Sequence, residues 1–267
     1  MNDLIAQLPG KVNELIEEFV SQPVVGDLGV FGISQYTFWM IVACLVLCAV
    51  LLVFVRKQSE TLAPRGVFVN GIEFVIEYAR DNILKSTVGD TWKKHFPFIA
   101  TVFFFVLFND FMGLIPGAKP GTGSIAMTGA VALCSFVYFI YIGIQKHGAI
   151  GYIKSLAPKG VMFPINVIVW VIEVFSTVLR LITLAVRLFC NMFAGHVVLG
   201  AFAIMSSLFF SQLATGITSA TLAQAGMSAG WELILIIIYA VEFLVSVVQA
   251  FVFALLSSVY VQLAENE

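Results

Sequence analysis

Six polar side chains recur along one otherwise apolar stretch: Glu173, Ser176, Arg180, Thr183, Arg187 and Asn191. Their spacing of three or four residues holds them to one face of a helix. Serine, threonine and asparagine on such a face are commonly interhelical glue. Arginine is different, because near the centre of a membrane helix it costs about 2.5–3.5 kcal/mol on insertion scales and its guanidinium does not deprotonate to escape that cost. Arg187, set in "LAVRLFCNMFAGHVVLGAF" (184–202), is therefore a functional candidate on chemistry alone. Arg180, closer to the segment's end, leaves two readings open, function or simple snorkelling towards the interface.

A second polar line runs through Glu232, Tyr239, Glu242, Ser246 and Gln249. His196 lies nine residues beyond Arg187, which turns it to the opposite helix face and moves it ~13 Å along the axis. Arg187 and His196 therefore do not share one site. A histidine and an acid in a wet intramembrane pocket are the usual parts of a proton pathway, and Glu242 is the acid a hairpin could bring beside His196. The four cysteines, Cys44, Cys48, Cys134 and Cys190, sit at unrelated spacings in apolar segments and read as small buried hydrophobes. With neither a GxxxxGK[ST] phosphate loop nor an HExxH zinc motif, the expectation is a non-catalytic chain with no cofactor, no bound metal and no nucleotide site of its own.

The elements that carry these residues follow from composition. The chain has 267 residues, 60% of them hydrophobic and 11% charged, and a mean hydropathy of +0.99. Such a balance excludes an ordinary soluble domain and indicates a polytopic, all-α membrane protein. A net charge of -2 gives no reason to expect a nucleic-acid partner. Three segments have the ~20 apolar residues that one helical span needs: 36–55, 96–115 and 125–144. Two more, 164–211 and 231–263, are too long for an upright span, so each either breaks or tilts steeply. The small-residue stretch 214–230 marks the turn between them.

The acidic N-terminal stretch fits neither a secretory signal nor a transit peptide. The connector after the first span mixes charge with Phe74, Val75, Ile76, Ile83 and Leu84 and reads either as a surface helix or as an ordinary link. Ten of the 14 lysines and arginines fall in the connectors after the first and third spans. The positive-inside rule then places the N-terminus outside and, after five passes, the C-terminus in the cytoplasm.

The string Arg187, Leu188, Phe189, Asn191, Met192, Ala194 and Gly195 resembles the signature of subunit a of F-type ATP synthases. "EFLVSVVQAFVFALLSSVYVQLA", with Glu242 and Gln249 seven apart, is similar to that family's last helix, and "FFFVLFNDFMGLIPG" to the end of its second span. The resemblance covers most of the chain from about residue 36 onward. It implies a single membrane domain: an external segment over 1–35, a span at 36–55, a surface helix at 64–90, a helical hairpin at 96–144 and two steeply tilted long helices over 164–263. It implies a proton-translocating stator that meets a ring of c subunits and peripheral-stalk b subunits in the bacterial plasma membrane, coupling ion flow to rotation and ATP synthesis.

Carried over, Arg187 looks like the arginine facing the ring carboxylates, with Gln249 and Asn191 as neighbours. His196 and Glu242 look like the channel pair, and Glu173 like an acid near the inner half-channel. Asn109, Asp110, Thr183 and Ser246 are further half-channel candidates, with Asn109 and Asp110 adjacent and only one expected to face the channel. Two other classes compete: a secondary transporter, which would show internal repeats and Gly- or Pro-broken helices, and a structural scaffold in which Arg187 pairs with Glu173 or Glu242.

Overall fold

The computed structural model describes Gly10, Asn13 and residues 23–25, 33–59, 66–115, 117–148, 151–152, 165–213 and 219–266. Most of the expected external segment 1–35 lies outside these residues. A short antiparallel ribbon pairs β1 (Pro23–Val25) with β2 (Ile33–Ser34). Everything else of regular structure is helical: α1 (Gln35–Ser59), α2 (Val67–Ala79), α3 (Trp92–Gly113), α4 (Ile125–His147), α5 (Ile165–Leu213) and α6 (Ser219–Asn266). The fold is all-α, and among the described residues five helical segments are long and apolar enough to cross a membrane.

α2 does not end in a loop. A π-helical turn (Arg80–Lys85), one α-turn (Ser86–Val88) and a 3-10 turn (Gly89–Thr91) carry the chain into α3. The wide π turn packs fully buried Ile83 and Leu84 against the core, and Gly89, at φ 67°, supplies the left-handed step that redirects the chain. The connector that sequence reads as either surface helix or link is thus helical along nearly its whole described length.

α5 runs 49 residues without a break, through both Gly195 and Gly200. At 1.5 Å per residue that is ~70 Å, more than twice a bilayer's hydrocarbon thickness, so α5 cannot stand upright within one. α6 begins at Ser219, twelve residues before the expected start at Trp231. The small-residue stretch is mostly its first turns, because alanine, glutamine and leucine favour helix whatever their size; only 214–218, outside the described residues, remains for the turn.

α3 is the central helix. Ile99, Phe103 and Val106 on it meet Leu184 and Leu188 of α5 and Ala250, Phe253 and Ala254 of α6 in one cluster. Ala250 and Ala254, one turn apart and fully buried, let the backbones approach closely, the usual device where lipid removes any hydrophobic drive between helices. Outward faces of α5 and α6 carry Ile172, Phe175, Ile182, Leu233, Ile236 and Leu244 in the open, which suits hydrocarbon and not water.

A polar clasp closes the end of the bundle where α3 starts and α6 finishes. The Glu265 carboxylate accepts from Thr91 Oγ1 at 2.8 Å and lies 3.1 Å from Nε2 of wholly buried His95. A carboxylate only accepts, so Nε2 carries a proton towards Glu265, and Nδ1 lies 3.1 Å from the Tyr138 hydroxyl. Lys146 donates to the Glu265 backbone carbonyl. Glu265→Ala strips His95 of this partner, an expected loss of about 1–3 kcal/mol. Thermal unfolding of the detergent-extracted complex checks it: the midpoint should drop by several degrees, and by less in Glu265→Gln, whose amide oxygen still accepts.

Candidate functional site

The polar face of α5 is bonded at one end and bare further along. Glu173 accepts from Arg180 Nη2 at 2.6 Å, and the Arg180 guanidinium also lies 5.8 Å from the Tyr260 ring centroid of α6. Thr183 is exposed and spends its hydroxyl on its own helix, donating to Leu179 O at 2.9 Å. Arg187 is exposed, and among the described residues it forms no hydrogen bond or ion pair. Asn191, one turn on, is half-buried. On α6, Gln249 and Ser246 are buried and Ser246 donates to Glu242 O at 2.9 Å. The scaffold reading needs an acid on Arg187; Glu173 is taken by Arg180, and Glu242 lies elsewhere.

Glu242 sits over the backbone of Gly195: a Cβ at Gly195 would strike its carboxylate. That close approach is the reason a mid-helix position, where glycine costs ~1 kcal/mol against alanine, carries one here. Gly113, at the end of α3, plays the same part for His196, whose Nε2 would lie 2.9 Å from a Cβ there. His196 Nε2 is buried with no hydrogen-bond partner among the described residues. Its side chain borders a half-open cavity of about 220 Å³ shared with Tyr36, Lys119, Gly200 and Tyr239, roomy enough for several waters. His196 therefore points away from the Arg187 face, and two separate polar regions occupy one helix.

Asn109 and Asp110, neighbours in sequence, have different surroundings. Neither lines the cavity. Asn109 donates to Phe105 O at 2.8 Å and turns its Oδ1 towards Gly121, beside Met40 of α1. Asp110, also buried, accepts from Thr122 Oγ1 at 2.7 Å and lies within electrostatic range of Glu242. Beyond the cavity Ser206 bonds Glu232, tying α5 to α6. Sequence reasoning missed Tyr36, at the start of α1, and Lys119 and Thr122, whose only signal was polarity near the turn that follows α3.

Among the described residues no group of three His, Cys, Asp or Glu could hold a metal ion. Gly226, Ser228 and Gly230 match the GxSxG pattern of serine hydrolases, but they lie inside α6, without the strand-turn-helix elbow that exposes such a serine.

A family model described as ATP synthase A chain matches residues 37–262. This chain belongs to the ATP synthase subunit a family. A subunit a from Myxococcus xanthus is 34% identical over 86% of this chain and 72% of its own length. Those from Hyphomonas neptunium and Novosphingobium aromaticivorans are 39% and 31% identical, over 67% and 96% of this chain and 67% and 98% of their own. As an ATP synthase subunit a, the chain is a multi-pass bacterial membrane protein whose partners are the rest of the ATP synthase complex.

The contact at Gly195 separates folding from placement. In Gly195→Ala the added methyl meets only the far end of a flexible side chain, so the subunit should assemble at normal levels while the Glu242 carboxylate is pushed aside. Subunit content in membrane vesicles should stay at the wild-type level in Gly195→Ala and fall in Gly195→Leu, whose larger side chain would meet the packed α6 as well as the Glu242 carboxylate.

Proposed function

We propose that this chain is the stator half of a rotary proton pathway and that Arg187 is the group the rotor meets. The observation that carries this is an exposed guanidinium with no partner among the described residues, on the polar face of a helix whose other outward residues, Ile172, Phe175 and Ile182 among them, are apolar. Such a charge is tolerated in hydrocarbon only when something comes to it. A ring of c subunits, each bringing a carboxylate, supplies the opposite charge, and an acid within ~4–6 Å of Arg187 is favoured in its ionised form.

The two polar regions then act as half-channels. The cavity beside His196, with Glu242 and the Asp110–Thr122 pair behind it, is the outer route by which a proton reaches a ring carboxylate. Of the two adjacent candidates, Asp110 is the one that can carry a proton, and it accepts from Thr122. The inner route opens near Glu173. Gln249 and Asn191 flank Arg187 and Ser246 braces Glu242, whereas Thr183, satisfied within its helix, is a surface the rotor passes.

A permanent cation between the two routes repels any proton that would hop directly from one to the other, so turning the ring is the efficient path. The proton is the default ion in this reading. Peripheral-stalk b subunits hold the stator against rotation, the basic connectors face the cytoplasm, and the N-terminus lies outside. The chain itself catalyses no step and hands torque to the catalytic part of the complex.

Lysine would keep the charge at 187 but lose the planar, multi-donor fork and gain the ability to deprotonate. Arg187→Lys should assemble normally and abolish proton-driven ATP synthesis in inverted vesicles. Synthesis near the wild-type rate would sink the proposal.

A further inference from the structure

Two arginines share one face of α5, seven residues and about 10 Å apart along the axis, in opposite electrostatic states. Arg187 is exposed and unpaired among the described residues. Arg180 is bonded to Glu173 at 2.6 Å and lies against Tyr260, with under a third of either charged side chain exposed. The pairing is unusual in its spacing: helix salt bridges ordinarily join residues three or four apart. Spanning two turns requires the Arg180 side chain to extend along the axis towards Glu173, which carries its guanidinium away from Arg187. The Tyr260 ring covers the cation from α6, adding attraction from its π face.

Glu173, Arg180 and Arg187 are evenly spaced by seven, and seven residues fall only roughly 20° short of two full turns. All three therefore lie along the same surface. Without Glu173, that surface would present two guanidinium groups rather than one. In surroundings with little salt to screen it, the second cation would hold an ionised carboxylate at a second position, one helical double-turn from the first.

We propose that Glu173 and Tyr260 sequester Arg180, so that a passing rotor carboxylate meets a single available guanidinium. The inference rests on the reading of Arg187 above and gives Glu173 a positioning role towards Arg180 beyond its place beside the inner route. A relay role and a sequestering role separate by second-site relief: a lost proton relay is not restored by deleting a neighbouring arginine, whereas a released cation is neutralised by doing so.

The test compares ATP-driven acidification in vesicles carrying the whole complex with Glu173→Gln, Arg180→Gln, the double variant Glu173→Gln/Arg180→Gln, and Arg187→Gln, each scaled to the ring subunit that copurifies. Expected from the coupling of two contacting groups are a loss of about tenfold in Glu173→Gln, a change within about twofold in Arg180→Gln, and recovery to within about threefold of wild type in the double variant. Tyr260→Leu, which removes only the ring contact, should cost less and be relieved by the same second change. A double variant as inactive as Glu173→Gln, or an unimpaired Glu173→Gln, would overturn sequestration. The underlying reading fails separately, if Arg187→Gln pumps like the wild type.

Discussion

A guanidinium that cannot lose its proton, set without a partner among the described residues on the polar face of a long apolar helix, is the constraint around which this molecule is organised. Its insertion is costly, and no side chain among the described residues offsets the cost at Arg187. The surrounding structure is arranged to leave it so. Glu173, fourteen residues and roughly 21 Å away along the same helix, is out of reach and engaged by Arg180, and the acid on the neighbouring helix, Glu242, is held over Gly195. The long helix keeps Arg187 and His196 on opposite faces, so the fixed charge stands apart from the cavity. In the proposed reading the charge that meets it is mobile and belongs to another subunit.

Close packing makes the arrangement rigid. Glycines at 113 and 195 let the ends and middles of α3, α5 and α6 approach near enough for Glu242 and His196 to sit against backbone. Alanines at 250 and 254 do the same for α6 against the core. At the other end of the bundle the clasp of Thr91, His95, Tyr138 and Glu265 ties three helices together with bonds that find little competition from water. α6 is thus pinned at its end and wedged at its middle, which fixes where Gln249 stands relative to Arg187.

Much of this was legible in the sequence, for reasons that differ element by element. The membrane class, the five long apolar helices and the polar face of α5 follow from composition and a three-to-four residue period, and both depend only on local sequence. So does the placement of Arg187 and His196 on opposite faces. α6 starts earlier than its small residues suggest, because alanine-rich sequence is good helix. The pairing of Glu173 with Arg180 was half legible: spacing put them on one face, but not in contact, since a seven-residue reach depends on side-chain direction. The clasp was invisible because His95 and Glu265 are 170 residues apart. The same holds for Asp110 with Thr122, which meet only once the turn after α3 has folded back.

The measurement closest to the central claim is passive proton conductance through membranes stripped of the soluble catalytic part, comparing wild type with Arg187→Ala, alongside ATP-driven pumping in unstripped vesicles. If the guanidinium is the barrier between two half-channels, pumping is lost while passive conductance persists or rises. If conductance vanishes together with pumping, the arginine lies within the proton path rather than between its two halves. Pumping at the wild-type rate would make it structural, and either result would contradict the account.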